Sequence, residues 1–409
     1  RFRDGTLEVV SATLPGESEE EVIAVAHLCH PQWSANDNAS GAATLMEIAR
    51  TLGRLTPPRR TIRFLLVPEM TGTYAYLASQ EVRLHEPIAG LNLDMVGESQ
   101  ELCGSTLVVE RLPTSTPAFA GDLLERILED VAHETPGYAG TGGYPSFRYG
   151  VTPFSGGSDH IVLSDPLVGI PTPLLIQWPD RFYHTSLDSW DKVDPQMLTR
   201  VGKVAGTYLY FLALAGKKEA RWLAGEILTR FKERLVRLIQ EERGERLARK
   251  ADHLLNGTIG SLRSLQRLAE VETGGFERRA STFTRRELDE AGVSPSSATE
   301  RRGEDELYLV PHRLYKGPIR LAPYLPQLGE ESRERWWRLE KRQGTALWYL
   351  LPMTLYWADG RRTLGEIVDL VELETGKREV ELMATYCRLL ADLGLIELGR
   401  QGSSSADQG

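Results

Sequence analysis

Residues 25–41, VAHLCHPQWSANDNASG, place His27, Cys29, His30 and Asp37 between an apolar run and a helix-forming segment. Imidazole, thiol and carboxylate are the donor types that hold zinc or a similar divalent ion. Further along, Glu69 closes RTIRFLLVPE, Asp94 closes IAGLNLD, and His184 follows TPLLIQWP. Each sits where an apolar run stops, which a random scatter of acids and histidines would not do. Plainer readings exist for several of them. Asp37 could only cap the next helix, His30 could anchor the Pro31 turn, and Cys29 could pack as a small buried side chain. Asp94 is harder to explain away. An unpartnered carboxylate in an apolar run is costly to bury, so it demands a metal or an ion pair.

The elements that must position these residues alternate in type. EEVIAVAHL (20–28), RTIRFLLVPE (60–69), IAGLNLDMVG (88–97) and TPLLIQWP (172–179) read as strands. GAATLMEIARTLGRL (41–55), GTYAYLASQEV (72–82), 116–134 and 195–215 carry apolar residues at helical spacing. That alternation predicts an α/β fold, a mostly parallel sheet flanked by helices. Ligands of such sheets lie beyond the carboxyl ends of the strands, where the candidate residues fall.

Residues 1–215 read as one α/β domain. The chain starts at Arg1 rather than Met, and an N-terminal portion is expected to precede it. From 216 to 303 the sequence turns charged, first as a helical arm and then, over 273–303, as a linker rich in Gly, Ser and mixed charge. Residues 304–400 suggest a winged-helix-like domain, two short helices and then a strand; 401–409, QGSSSADQG, reads as a disordered tail.

A net charge of −9 argues against a general nucleic-acid or membrane-surface binder. The acidic 361–378 likewise makes DNA a poor partner for the C-terminal unit; a homodimer surface or a lid over the site suits it better. Three scattered cysteines give no disulfide framework. They fit a reducing, cytoplasmic setting. No apolar stretch reaches the roughly 20 residues of a membrane helix.

The first stretch resembles the metal-binding turn of the M28 family of zinc aminopeptidases, where a strand ending in Ala-His precedes Asp-Asn-Ala-Ser-Gly at a helix start. IAGLNLDMVG resembles that family's strand with its metal-binding Asp, FYHTSLDSWDKVDP (182–195) its last metal-binding His, and SGGSDH (155–160) its Ser-Asp-His segment. The subgroup known as DUF4910, with His-x-Cys-His-Pro in the turn and a C-terminal winged helix, is closer still. The resemblance implies a zinc-exopeptidase-like fold and one or two zinc ions. Asp37 would bridge, His27 and Asp94 would complete one site, and His184 would bind the other. Bridging carboxylates hold two ions about 3.5–4 Å apart. Glu69 would be the general base or a ligand, and Tyr183 would donate to the oxyanion. Asp188 could orient His184, while Asp159 and His160 would support the site through hydrogen bonds.

Two departures stand out. The family's Glu-Glu pair is Glu69-Met70 here, and its His-x-Asp is His27-Leu28-Cys29. His30 or the Cys29 thiolate is then a candidate replacement ligand. The function implied is a zinc-dependent, aminopeptidase-like hydrolase cleaving an amide of a small peptide or aminoacylated substrate. The alternatives are a metal enzyme acting on a polysaccharide or natural-product intermediate, and a non-catalytic regulatory or scaffold protein.

Overall fold

The computed structural model describes residues 5–30, 32–80, 83–293 and 305–400. In chain order it runs β1 (Val10–Leu14), β2 (Ser18–His27), α1 (Gly41–Leu52), β3 (Arg60–Val67), α2 (Thr71–Ser79), β4 (Pro87–Asp94), α3 (Gln100–Cys103), β5 (Thr106–Glu110) and α4 (Phe119–Ala132). The two-residue strands β6 (Thr135–Pro136) and β7 (Gly143–Tyr144) follow, then β8 (Tyr149–Thr152), α5 (His160–Leu163), β9 (Leu174–Trp178) and α6 (Pro195–Leu214). The rest is α7 (Lys217–Glu241), α8 (Gly244–Ser264), α9 (Gly274–Glu290), β10 (Leu309–Arg313), α10 (Glu330–Gln343), α11 (Leu347–Tyr356), α12 (Leu364–Thr375), α13 (Val380–Asp392) and β11 (Ile396–Arg400).

The architecture is α/β with a mostly parallel sheet, in the order β1-β3-β2-β4-β9-β5-β8. β3, β2, β4 and β9 are mutually parallel, whereas β1 and the β5–β8 pair run against them. β2 shows why the centre is covered on both sides. Val22, Ala24 and Ala26 face one core while Ile23 and Val25 face another, and all five are fully buried. A strand buried on both faces reads as a continuous apolar run.

The first face is covered by α1, α4 and α6, with Ala220, Leu223 and Leu262 of α7 and α8 joining the same core. The second is covered by α2, α5 and the C-terminal helices: Leu350, Leu364 and Tyr386 share a core with Ile23, Val25 and Leu65. Arg313 of β10 makes a bidentate pair with buried Asp165 at 2.6 and 3.1 Å, fixing the small β10–β11 sheet to the loop before β9. Helix ends are specified locally. Asp194 caps α6 ahead of Pro195, and Thr363 with Glu366 forms a capping box on α12.

The structure corrects the expected linker over 273–303. Residues 274–290 form α9, because Ala280, Thr284 and Leu288, spaced four apart, bury a narrow stripe against α7 and α8. Residues 294–304 and the expected disordered tail, 401–409, lie outside the described residues. The sheet also gains β1, β5 and β8, short strands that periodicity did not reveal. Among the described residues no helix is long and apolar enough to cross a membrane.

Candidate metal centre

His27 is the last residue of β2, and Asp94 the last of β4. The strands are parallel neighbours, so both side chains emerge at one edge of the sheet. His27 Nε2 stands 3.1 Å from Asp94 Oδ1 and 3.3 Å from Asp37 Oδ1. Asp37 lies in the irregular turn Ala35–Ser40, where the Asp37–Asn38 peptide is cis. Its Oδ1 also meets His30 Nε2 at 3.0 Å, and its Oδ2 meets His184 Nε2 at 3.2 Å. One carboxylate thus gathers three imidazoles. Glu69, just past β3, offers an oxygen to the group formed by His27 and Asp94, with all donor atoms within 4.8 Å of one another.

Short polar side chains lock the turn in place. Asn38 Oδ1 accepts from the backbone N–H of Gly41 and Met95, while its Nδ2 donates to Leu93 O. Asn36 Oδ1 accepts from Gly97 N, and Ser40 Oγ accepts from Val96 N. Asp188, expected to orient His184, instead grips the turn that carries Asp37. Its two oxygens accept from Asn36 N at 2.7 Å and Asp37 N at 3.0 Å. Asn36, Asn38 and Ser40 were not singled out from sequence, although their types favour hydrogen bonds to nearby backbone.

Among the described residues three non-glycine residues have positive φ: Met70, Met95 and His184. Each is a site residue or follows one directly. Such conformations cost about 1–3 kcal/mol apiece and persist only where surroundings impose them. Buried Asp159 imposes one, accepting from Met70 N at 2.7 Å and from Thr73 Oγ1, and so fixes the turn that presents Glu69. His160 is buried against Glu110 at 2.8 Å, a partner that sequence reading did not identify. The Met70 sulfur faces Arg320 of the C-terminal region. Cys29 Sγ accepts from Glu69 N at 3.2 Å and lies 3.8 Å from His27 Nδ1. Tyr183 stacks on His184 with ring centroids 3.7 Å apart.

The electrostatics are those of carboxylates balanced only by imidazoles. Burial alone would lower the His27 pKa, but Asp37 and Asp94 reverse this and raise it well above the usual imidazole range. Asp94, although buried, is held below the usual carboxylate range by His27. Burial, opposed by His27 and reinforced by Asp94, Asp159 and Asp37, pushes Glu69 up to about 7. Burial and the nearby Asp37 push Tyr183 up to about 12, leaving a protonated donor at neutral pH. Histidine with aspartate and glutamate is a fitting donor set for zinc, and Asp159 Oδ2, buried and without a partner, adds uncompensated acceptor character beside it.

Residues 1–108 match DUF4910, a family described as a domain of unknown function. The match includes His27, His30, Asp37, Glu69 and Asp94 of the DUF4910 region and stops short of His184. A Clostridium acetobutylicum protein named for polysaccharide biosynthesis and an aminopeptidase-like domain is 29% identical over 190 residues. The alignment spans 46% of this chain and 39% of that relative. Among solved structures, a zinc aminopeptidase from Bacillus subtilis is similar over 50% of each chain, with 23% identity and a TM-score of 0.42. A peptidase-named structure from Clostridium acetobutylicum is similar over 96% of this chain and 60% of its own, with 16% identity and a TM-score of 0.42.

Proposed function

We propose that this chain is a zinc-dependent, aminopeptidase-like hydrolase that cleaves an amide bond in a small peptide or aminoacylated substrate. The observation that carries the reading is Asp37, with His27 and His30 on one carboxylate oxygen and His184 on the other. A carboxylate with imidazoles on both oxygens could bridge two ions. His27, Asp94 and Asp37 Oδ1 would hold one ion, with His30 beside them on the same oxygen; His184 and Asp37 Oδ2 would hold the second. The Met70 side chain faces away toward Arg320. Cys29 supports His27 from behind.

Bound zinc supplies Lewis acidity toward a carbonyl and toward water. Glu69 would take the proton of the attacking water and deliver it to the leaving amine, a role for a carboxylate placed beside the metal cluster. The Tyr183 hydroxyl donates to the developing oxyanion. A second reading, a metal enzyme acting on a polysaccharide or natural-product biosynthetic intermediate, is favoured by the name of the Clostridium relative. Purified protein assayed for zinc and against aminoacyl anilides tests both. Zinc with anilide cleavage lost in Asp37→Ala supports the first reading, and zinc without cleavage supports the second. A protein that binds no zinc contradicts both.

A further inference from the structure

A second cluster of donors lies under the loop that carries Tyr183 and His184. Glu98 follows the end of β4, Cys103 ends α3, and Asp180 follows β9. One donor atom from each lies within 4.8 Å of the others. Oxygen and sulfur ligands of one tetrahedral zinc stand about 3.3–3.6 Å apart, so side-chain adjustment would bring these three onto one ion with a fourth position left for water. Glu98 is fully buried, and neither of its carboxylate oxygens has a hydrogen-bond partner. Its backbone is clamped: Glu98 N donates to Gln177 Oε1 and Glu98 O accepts from Gln177 Nε2, both at 2.8 Å.

We infer that Glu98, Cys103 and Asp180 bind a structural divalent cation of the zinc class, separate from the Asp37 centre, which pins the root of the His184 loop to the sheet. A buried carboxylate without a donor requires a proton or a cation. Burial, opposed by the neighbouring Cys103 thiol and reinforced by Asp180, pushes Glu98 up to about 8, so a cation-free pocket retains the proton. Thiol and carboxylates together select zinc or cobalt over magnesium or calcium. Binding displaces the thiol proton and the Glu98 proton to solvent. Asp180 is already oriented, its oxygens accepting from Phe182 N at 2.7 Å and Asn36 Nδ2 at 3.3 Å. The inference does not rest on hydrolase activity.

Metal-stripped protein titrated with Co2+ alone tests it. Cys29→Ser serves as the background, because Cys29 lies beside the first centre, while Cys387 is buried in the C-terminal core. The expected result is a thiolate-to-cobalt charge-transfer band in Cys29→Ser that persists when Asp37→Ala is added. The band disappears, with loss of one bound equivalent, when Cys103→Ser is added instead. No band in Cys29→Ser, or one that survives Cys103→Ser, overturns the inference. Should Cys103→Ser fail to fold, zinc-edge X-ray absorption of zinc-loaded Cys29→Ser decides. A sulfur scatterer supports the site, and an all-nitrogen-and-oxygen shell overturns it.

Discussion

The α4–α7 contact and the Asp37 centre both bury several carboxylates, yet they neutralise them differently. At α4–α7, Glu125 meets Arg111 at 2.7 Å, Arg234 at 2.9 Å and Arg230 at 3.3 Å, and Arg234 also meets Asp122 at 2.7 Å. Although burial opposes it, these guanidinium groups hold Glu125 below the usual carboxylate range. Guanidinium cannot give up its proton in a protein, so the cationic side of that network is permanent and structural. Around Asp37 the partners are His27, His30 and His184. Imidazoles can lose their protons and turn the same nitrogens toward a metal. The identity of the cationic partner separates a strut from a cluster able to take a metal.

The difference can be broken at several points. Asp37→Ala removes the carboxylate common to three imidazoles; it should release the bound zinc and abolish hydrolysis, as read by metal analysis and an anilide assay. Glu69→Gln should leave the zinc bound and lower kcat by about 10²–10⁴-fold, the usual weight of a general acid–base group. Arg234→Met should reverse the pattern. By stranding Asp122 and Glu125 it should cost about 3–5 kcal/mol of stability in denaturant titration, with zinc content per folded molecule unchanged. Asp188→Ala frees the backbone of Asn36 and Asp37 and should weaken zinc binding by about 10–100-fold.

The smallest effect concerns the docking of α12. Glu374 accepts from Thr114 N and Thr114 Oγ1, and burial pushes its pKa from 4.5 up to about 7. A raised carboxyl pKa favours folding below pH 4.5, and that contribution is lost as pH rises through 7. Glu374→Gln should therefore melt higher than the parent at pH 8 and not at pH 4. The difference should be about 1 kcal/mol, given solvent screening of a partly exposed group.

Much of this centre was legible in the sequence because parallel strands deliver their last residues to one edge. His27, Glu69 and Asp94 are such strand-end residues, and Asp37 opens the helix after the first strand. His30 was not decided by sequence, since its reach depends on how the 28–34 loop folds back. Asp188 was placed near the right residues with the wrong partner, because hydrogen bonds to backbone carry no spacing signal. Glu98, Cys103 and Asp180 escaped notice for a similar reason: two loops and the short helix α3 bring them together. α9 was hidden by a three-residue stripe within a charged composition. The C-terminal helices could be read as elements, but nothing local shows that they complete the core against Ile23 and Val25.

Zinc-edge anomalous diffraction from crystals of the purified protein tests the central claim most directly. The expected result is a peak within bonding distance of the Asp37 carboxylate, shared with His27 and Asp94 or with His184. Diffraction of comparable quality with no anomalous peak at Asp37 would contradict it.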